Sequence, residues 1–106
     1  MLEGAILLLL AERPLCGYEL LRQITADDLL AGSAHPGRVY ETLARLAAGG
    51  CVSTNREPNL LGPERLRHTL TAEGVRRLAR WIVALEQSHE RVTRFLKRYQ
   101  NIKEAS

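Results

Sequence analysis

One short stretch of the chain carries the side chains best suited to bind another molecule. It runs from Pro36 to Gly50 and is predicted to be a helix, because Pro suits a first helical turn and Gly suits the end. One face is apolar at helical spacing and contains Val39, Tyr40, Leu43, Leu46 and Ala47. The opposite face is polar and contains Arg38, Glu41, Thr42 and Arg45. Guanidinium groups in such a row can pair with phosphates or base edges, although charged faces of surface helices are often merely solvated.

The remaining residues form no recognisable catalytic or metal-binding set. The three histidines are scattered at His35, His68 and His89, and the two cysteines, Cys16 and Cys51, form no CxxC motif or Cys/His pair. The sequence contains no glycine-rich phosphate loop. We therefore predict a protein that is not an enzyme, with no cofactor and no metal, whose cysteines are reduced, buried thiols in the cytoplasm.

Size and charge are compatible with a small DNA-binding protein. The chain has 106 residues, a formal net charge of +3 and a hydrophobic fraction of 45%, which indicates one compact domain with an appended helix. The mild basicity permits a nucleic-acid partner without requiring one. The apolar run Ala5–Ala11 is shorter than the roughly 20 residues that a membrane span needs, and Glu3 precedes it where a signal peptide would be basic.

The pattern of the first 71 residues predicts three helices followed by a β-hairpin. Helix 1 covers 2–12 and is apolar on nearly all sides, which favours burial from more than one direction. Helix 2 begins at Cys16 or Gly17 and ends near Thr25, with Tyr18, Leu21 and Ile24 in its apolar stripe, and a loop covers 26–35. After the helix at 36–50, strands are predicted at 51–56 and 65–70 around a tip at 57–63. In the second strand, Leu66, His68 and Leu70 share one side.

The last predicted helix is long and carries a heptad seam. It covers 72–100 behind a Thr71 N-cap, and residues 101–106 are predicted to be a frayed tail. Apolar residues repeat in steps of three and four for about three heptads, which favours a coiled coil. His89 lies on the seam, where a polar residue can set the register or respond to pH. The predicted dimer interface comprises Leu7, Leu8, Ile82, Leu85, His89, Val92, Phe95, Leu96 and Tyr99.

This order of elements predicts an α+β, mostly α fold: a winged helix-turn-helix with a long C-terminal dimerisation helix. The DNA-binding part is expected at 1–71, and the dimerisation helix and tail at 72–106. Helix 3 would enter the major groove, and the hairpin would reach neighbouring phosphates as a wing. The residues predicted to contact DNA are Pro36, Gly37, Arg38, Tyr40, Glu41, Thr42 and Arg45 on helix 3, and Arg56, Arg65 and Arg67 on the wing.

Four blocks resemble the PadR family of transcriptional regulators, in the family's order and over nearly the whole chain. They are the apolar first helix at 2–12, Cys16-Gly17-Tyr18-Glu19-Leu20, the stretch 36–46, and Leu70-Thr71-Ala72-Glu73-Gly74. The resemblance implies a homodimeric, cytoplasmic and usually repressing DNA-binding protein, which a small ligand releases from its operator in several members. The chain departs from the family at Cys16, Glu41 and Arg67-His68, and at the wing tip, where Leu60, Leu61 and Glu64 replace basic residues.

Two details of the resemblance concern individual side chains. Tyr40 lies on the apolar side by spacing and is expected in the core, with its hydroxyl near the surface, whereas the resemblance suggests a contact with phosphate. Leu78, Trp81 and Leu85 are expected near helix 1, where the resemblance implies a site for a flat aromatic or hydrophobic effector and where plain packing is the alternative.

Two other functions are compatible with the same sequence. A winged helix can bind proteins through this surface, and the weakly charged wing and Glu41 suit that interpretation. The second alternative is a helical dimer that sequesters hydrophobic molecules at Trp81 and has little affinity for DNA. The salt dependence of binding separates the protein-binding module from a DNA-binding protein, because neutralising phosphates makes affinity fall steeply with salt. The sequestering dimer would bind its ligand without responding to DNA.

Overall fold

A computed structural model describes residues 1–29 and 35–106 and confirms the predicted mixture of helices with a small sheet. The described elements are α1 (Leu2–Glu12), β1 (Leu15–Cys16), α2 (Gly17–Asp27), α3 (Pro36–Ala48), β2 (Val52–Glu57), β3 (Arg65–Leu70) and α4 (Ala72–Ala105). The expected loop at 26–35 begins later, because α2 continues to Asp27 and ends at Asp28, which has a φ of 50°. The remainder of that loop, 30–34, lies outside the described residues.

The hydrophobic core lies around α1, as its apolar sequence predicts. Ile6, Leu7 and Leu9 are at most 1% exposed, and they pack with residues of α2, α3 and the start of β2. Leu8 is 37% exposed and faces away from this core. Leu7, which was predicted at the dimer interface, is fully buried within the protomer, so that assignment is wrong. Spacing along a helix that is apolar all round does not show which leucine faces out.

The wing is an antiparallel hairpin of β2 and β3, extended by the two residues of β1 in the order β1-β3-β2. Strand β1 was not predicted, because two residues carry too little pattern to be recognised. It pairs Leu15 with His68. His68 is 8% exposed, which agrees with the side predicted for it. Leu66 on the same side is 48% exposed, because it borders an open space between the hairpin and α3.

The motif Cys16-Gly17-Tyr18-Glu19 builds the start of α2. Glu19 Oε1 accepts a hydrogen bond from the Cys16 backbone N–H at 2.9 Å, which closes a capping box. That hydrogen bond holds the pKa of Glu19 below its ordinary value, while burial raises the pKa of the Cys16 thiol. Cys16 is therefore a neutral structural thiol, as predicted, and helix α2 starts where the motif places it.

The start of α4 packs closely against the segment that follows α3, and we call this contact the α3–α4 joint. The Thr71 hydroxyl donates to the Gly50 carbonyl at 2.6 Å and accepts from the Gly74 N–H at 3.1 Å. Gly74 is buried, and a Cβ built there would overlap the Cys51 carbonyl oxygen and Leu70. This close approach requires Gly at position 74.

A carboxylate on α1 fixes the direction of α4. Glu3 accepts two hydrogen bonds from the Arg77 guanidinium, at 2.9 and 3.0 Å, and one from the Trp81 indole N–H at 2.6 Å. The Trp81 ring lies over Gly4, where an added Cβ would be 3.3 Å from Cδ2. The hydrogen bonds from Arg77 lower the pKa of Glu3. We call this arrangement of Glu3, Arg77 and Trp81 the Glu3 clamp.

Beyond the clamp, α4 leaves the domain. Every residue from Glu86 to Ser106 is exposed, and the longest dimension of the protein is 67 Å. The helix continues to Ala105, so the expected frayed tail at 101–106 is wrong. The segment contains no Gly or Pro to end a helix, and Gln100 Nε2 donates to Glu104 Oε1 one turn away at 3.3 Å. None of the described helices is long and apolar enough to cross a membrane.

We expect Gly74→Ala to lower the free energy of unfolding by about 1–3 kcal/mol, because the new methyl group forces α4 away from the Cys51 carbonyl. Urea denaturation followed by circular dichroism measures the change. Gly62→Ala is the matched control, since a Cβ at that wing position meets only the Asn59 amide nitrogen at 3.5 Å. Equal stability of the two variants would contradict close packing at the α3–α4 joint.

Glu3 makes stability depend on pH. Its pKa is lower in the folded state than its ordinary 4.5, so the stabilisation is complete above that value and is lost as the pH falls through the folded pKa. We expect the wild type to lose more stability than Glu3→Gln between pH 7 and about pH 3. Glu104→Gln, at the exposed end of α4, should follow the wild type. Parallel pH profiles for wild type and Glu3→Gln would show that the clamp carboxylate does not stabilise the fold.

Candidate nucleic-acid interface

Helix α3 presents its polar face to solvent as predicted, with one exception. Val39, Leu43 and Leu46 are buried, while Arg38, Glu41 and Arg45 are exposed. Thr42, predicted on the polar face, is only 5% exposed, so that placement is wrong. Thr42 lies three residues after the buried Val39, so its side chain turns toward the core. The Thr42 hydroxyl donates to the Arg38 carbonyl at 2.7 Å.

Arg38 and Arg45 lie along the same side of α3, seven residues or about two turns apart. Neither guanidinium forms an ion pair with another described residue. Arg45 Nη2 lies 3.4 Å from the Thr42 hydroxyl, and its charge contributes to lowering the pKa of Glu3. Two cations without an ion-pair partner among the described residues are therefore presented about two turns apart on α3, with Glu41 on the same exposed face.

The first turn of α3 is also exposed. His35 is the N-cap, and its Nδ1 accepts a hydrogen bond from the Gly37 N–H at 3.2 Å. Pro36 occupies the first turn as predicted, where the lack of an N–H costs nothing. Gly37 has no side chain, so the helix end beside Arg38 can approach a flat or grooved surface closely.

Tyr40 is displaced from its expected place in the core. It is 48% exposed, and its ring lies against the start of α2, where a Cβ added to Gly17 would be 2.6 Å from Tyr40 Cε1. The residue sits on the flank of α3 that faces α2, between the buried and polar faces. Gly17 makes room for the ring, and spacing within α3 alone could not reveal this neighbour.

The three wing arginines occupy different environments. Arg67 forms an ion pair with Glu57, which raises the pKa of Arg67 and lowers that of Glu57, and it donates to the Pro14 carbonyl at 3.3 Å. Arg56 lies 3.9 Å from Glu64 with its side chain 81% exposed, a loose surface pair. Arg65 is exposed and forms no ion pair with a described residue. Arg67 is thus engaged within the wing, and Arg65 is its most available cation.

A groove separates α3 from the wing. Tyr40, Ala44 and Ala47 form its α3 wall, and Arg65, Leu66 and His68 line the side of β3. Its volume is about 780 Å³. We call it the α3–wing groove. Tyr18, at the start of α2 and in its predicted apolar stripe, also lines the groove and is 65% exposed.

Arg22 lies beside the same groove, with its guanidinium carbon 5.9 Å from the centre of the Tyr18 ring. Neither Tyr18 nor Arg22 was among the predicted site residues. The spacing of four between them, which stacks side chains on one helix face, was the available signal. The wing tip beyond the groove ends in Leu60 and Leu61, which are 101% and 99% exposed.

Leu78, Trp81 and Leu85 meet beside α1, as predicted, and none of them lines the α3–wing groove. They line an apolar recess between α1 and α4, together with Gly4 and Leu8. The recess holds only about 70 Å³ within one protomer, well below the size usual for small-molecule sites. It lies beside the exposed α4 stripe, so a second chain covering the stripe would also enclose the recess.

Most residues predicted at a dimer interface are available to a second chain. His89 is exposed and Leu85 is half-buried against α1. Exposure of 41% to 74% is found for Ile82, Val92, Phe95, Leu96 and Tyr99. Val75, on the predicted heptad seam, is 56% exposed, and Ile102, which was not predicted there, is 68% exposed on the same helix. Among residues 1–29 and 35–106, no three His, Cys, Asp or Glu side chains come together as metal ligands would.

Comparison with known proteins gives the fold and the family. The model of the transcriptional regulator PadR-like family matches residues 6–80. PadR from Bacillus subtilis, solved in complex with operator DNA, is 26% identical with a TM-score of 0.71; the match covers 78% of this chain and 47% of that protein. This chain therefore spans about half the length of that relative. No curated protein sequence matches the chain.

Two further solved structures are similar over nearly their whole length. A conserved protein of unknown function, described as a potential transcription factor, is 30% identical with a TM-score of 0.85, covering 97% of this chain and 90% of that one. A PadR-like transcriptional regulator from Bacillus cereus has the same fold, with 23% identity, a TM-score of 0.76 and 90% coverage of both chains. Members of the matched family are transcriptional regulators rather than enzymes. Because the matched range covers 75 of the 106 residues, from α1 to the first turns of α4, the chain belongs to the PadR-like family of transcriptional regulators.

Proposed function

We propose that the protein is a sequence-specific DNA-binding regulator that represses transcription as a homodimer on a pseudo-palindromic operator. The observation that carries this proposal is the pair of unpaired guanidinium groups, Arg38 and Arg45, on the exposed face of α3. Bacillus subtilis PadR, a relative with the same architecture, has been solved with operator DNA. Residues 1–71 would form the DNA-binding part and 72–106 the dimerisation helix, in the cytoplasm.

In this proposal α3 lies in the major groove. Arg38 and Arg45, about 10 Å apart along the axis, would contact guanine edges or the phosphates that flank them. Glu41 accepts hydrogen bonds only and therefore suits the amino group of cytosine. The half-exposed Tyr40 would donate its hydroxyl to a phosphate, with Pro36 and Gly37 allowing the helix end to come close. Thr42 is left out of the contact because its hydroxyl is used within α3.

The wing contributes less than α3. Arg65 and the loosely paired Arg56 would reach the adjacent backbone, whereas Arg67 is held by Glu57. The wing tip offers Leu60 and Leu61 in place of cations, and this apolar tip is the observation that favours the second candidate, a winged helix that binds a protein. A protein partner would bind with a shallow dependence on salt, because no phosphates are neutralised.

The dimer would form through the apolar stripe of α4 with Leu8 of α1. This stripe runs along a 34-residue helix whose second half is exposed in the described structure of the protomer. Burying these side chains supplies the association energy at roughly 25 cal/mol per Å² of apolar surface. Half-sites about one turn, or roughly 10 bp, apart would match the two α3 helices of such a dimer.

A small effector would bind at Leu78, Trp81 and Leu85. The recess there is too small in one protomer, and a second copy of α4 would complete its wall. A flat aromatic or hydrophobic molecule would stack on the Trp81 ring. Because Trp81 also belongs to the Glu3 clamp, such a ligand would change the angle of α4 and hence the spacing of the two α3 helices.

We expect Arg38→Ala and Arg45→Ala each to weaken operator binding by about 1–3 kcal/mol, because each removes a guanidinium from the DNA-facing side of α3. Fluorescence anisotropy with a DNA fragment from the gene's own upstream region measures the affinity. Arg94→Ala, which removes an exposed arginine from the far half of α4, is the matched control and should bind as the wild type does. Wild-type affinity in both α3 variants would refute the interface.

We expect Leu96→Glu to produce monomers, because it places a charge in the proposed α4 seam without touching the protomer core. Leu85→Glu should act in the same direction, with an added loss of packing against α1. Analytical ultracentrifugation gives the oligomeric state. Arg94→Glu introduces the same side chain on the opposite face of α4 and should leave the dimer intact. A persistent dimer in both leucine variants would show that the interface lies elsewhere.

A further inference from the structure

The α3–wing groove has the properties of a small-molecule site. We propose that it binds a planar aromatic molecule with a single negative charge, an aryl carboxylate or sulfonate, and that an occupied groove excludes DNA from α3. The second half of this statement rests on the proposed DNA-binding function, whereas the first half does not. The site is separate from the recess at Trp81, which lies between α1 and α4.

The walls of the groove suit a flat ring. Ala44 and Ala47 leave the α3 wall low and smooth, and Leu43 lies next to them. Leu66 faces them from β3 with 48% of its surface exposed, although it belongs to the same strand side as the buried His68. The half-exposed Tyr40 ring closes the end near α2. A volume of about 780 Å³ falls in the range of small-molecule pockets, so the groove accommodates a bicyclic or tricyclic ring system.

The charges of the groove select an anion. Arg22 and Arg65 line it, and neither forms an ion pair with another described residue. Glu19 is the acidic residue of the lining, and its carboxylate already accepts from the Cys16 N–H at 2.9 Å. Glu57, which lies directly across from Arg65 on β2, is paired with Arg67. The two cations and one anion of the lining therefore keep an excess of one positive charge, which a monoanion balances. A guanidinium also pairs with a carboxylate or sulfonate through two parallel hydrogen bonds.

The remaining polar group in the groove is neutral. His68 is 8% exposed, its Nδ1 lies 3.1 Å from the Thr54 hydroxyl, and burial lowers its pKa. The groups that face it are Thr54 from β2 and Leu15 from β1, neither of which is charged. His68 therefore adds no charge at neutral pH and leaves Arg22 and Arg65 to hold the anion.

The position of the groove gives the ligand a direct effect on DNA. With α3 in the major groove and the wing beside the neighbouring backbone, the sugar–phosphate strand between them runs through this space. An aromatic anion held by Arg65 against Ala47 occupies the same volume and uses a guanidinium that would otherwise meet phosphate. Ligand and DNA then compete for one surface, without any change in the angle of α4.

The first test locates the site in the full-length protein without DNA. The probe is anilinonaphthalene sulfonate, a fluorescent aromatic monoanion, titrated while two-dimensional amide NMR spectra are recorded. We expect the largest shifts at Gly17, Ala47 and Leu66. Shifts confined to Gly4, Leu78 and Leu85 would place the probe in the Trp81 recess and overturn the proposal, as would the absence of any saturable binding.

Two variants test the chemistry of the site. Arg65→Gln removes the cation, and Ala47→Leu fills the smooth wall at an exposed helical position; each should raise the Kd of the probe roughly tenfold. Ala84→Leu makes the same change at an exposed position on α4 and should leave the Kd unchanged. Unchanged binding in both groove variants would contradict the site.

Competition separates this proposal from the DNA-binding function. The probe should displace an operator fragment from the wild type at concentrations that match its own Kd, and fail to do so in Ala47→Leu. Saturable groove binding in a protein that binds no DNA would refute the regulator function and leave the ligand site standing. DNA binding that the bound probe does not weaken would refute the exclusion.

Discussion

The carboxylate of Glu3 joins the two parts of this protein. It accepts hydrogen bonds from Arg77 and Trp81, and so ties the start of α1 to the second and third turns of α4. In the first turn of α4, Gly74 lets the helix start directly against the Cys51 carbonyl. These two contacts set the direction in which the exposed half of α4 leaves the domain. In a dimer built on α4, they would also set the distance between the two α3 helices.

The surface proposed to meet DNA depends on contacts made underneath it. The capping box of Cys16 and Glu19 fixes the start of α2, and Gly17 leaves space for the Tyr40 ring. The buried Thr42 anchors the middle of α3 through the Arg38 carbonyl. Arg38 and Arg45 can therefore stay unpaired on a helix whose position is determined by its neighbours. The wing, in contrast, uses Arg67 and Glu57 for its own structure.

Periodicity along the chain was sufficient to predict α1, α3, α4 and the hairpin, because each carries a long or strongly alternating pattern. It failed where a side chain's place depends on another element. Thr42 was expected to be exposed and is buried, whereas Tyr40 was expected in the core and is half-exposed. Both outcomes depend on α1 and α2, which form the core beneath α3 and leave space for the Tyr40 ring over Gly17. Pairing of Arg67 with Glu57 depends on hairpin register, and β1 exists only through its bonds to β3. The α3–wing groove likewise depends on three elements that meet only in the folded chain.

The central claim is that the exposed face of α3 binds DNA through its unpaired arginines. The most direct measurement is the anisotropy-based affinity for the gene's upstream fragment and for an unrelated fragment of equal length, repeated across a salt series. The account predicts tight binding that prefers the upstream fragment and weakens roughly tenfold or more between about 50 and 200 mM salt. Weak binding without preference, or an affinity that salt leaves unchanged, would contradict it.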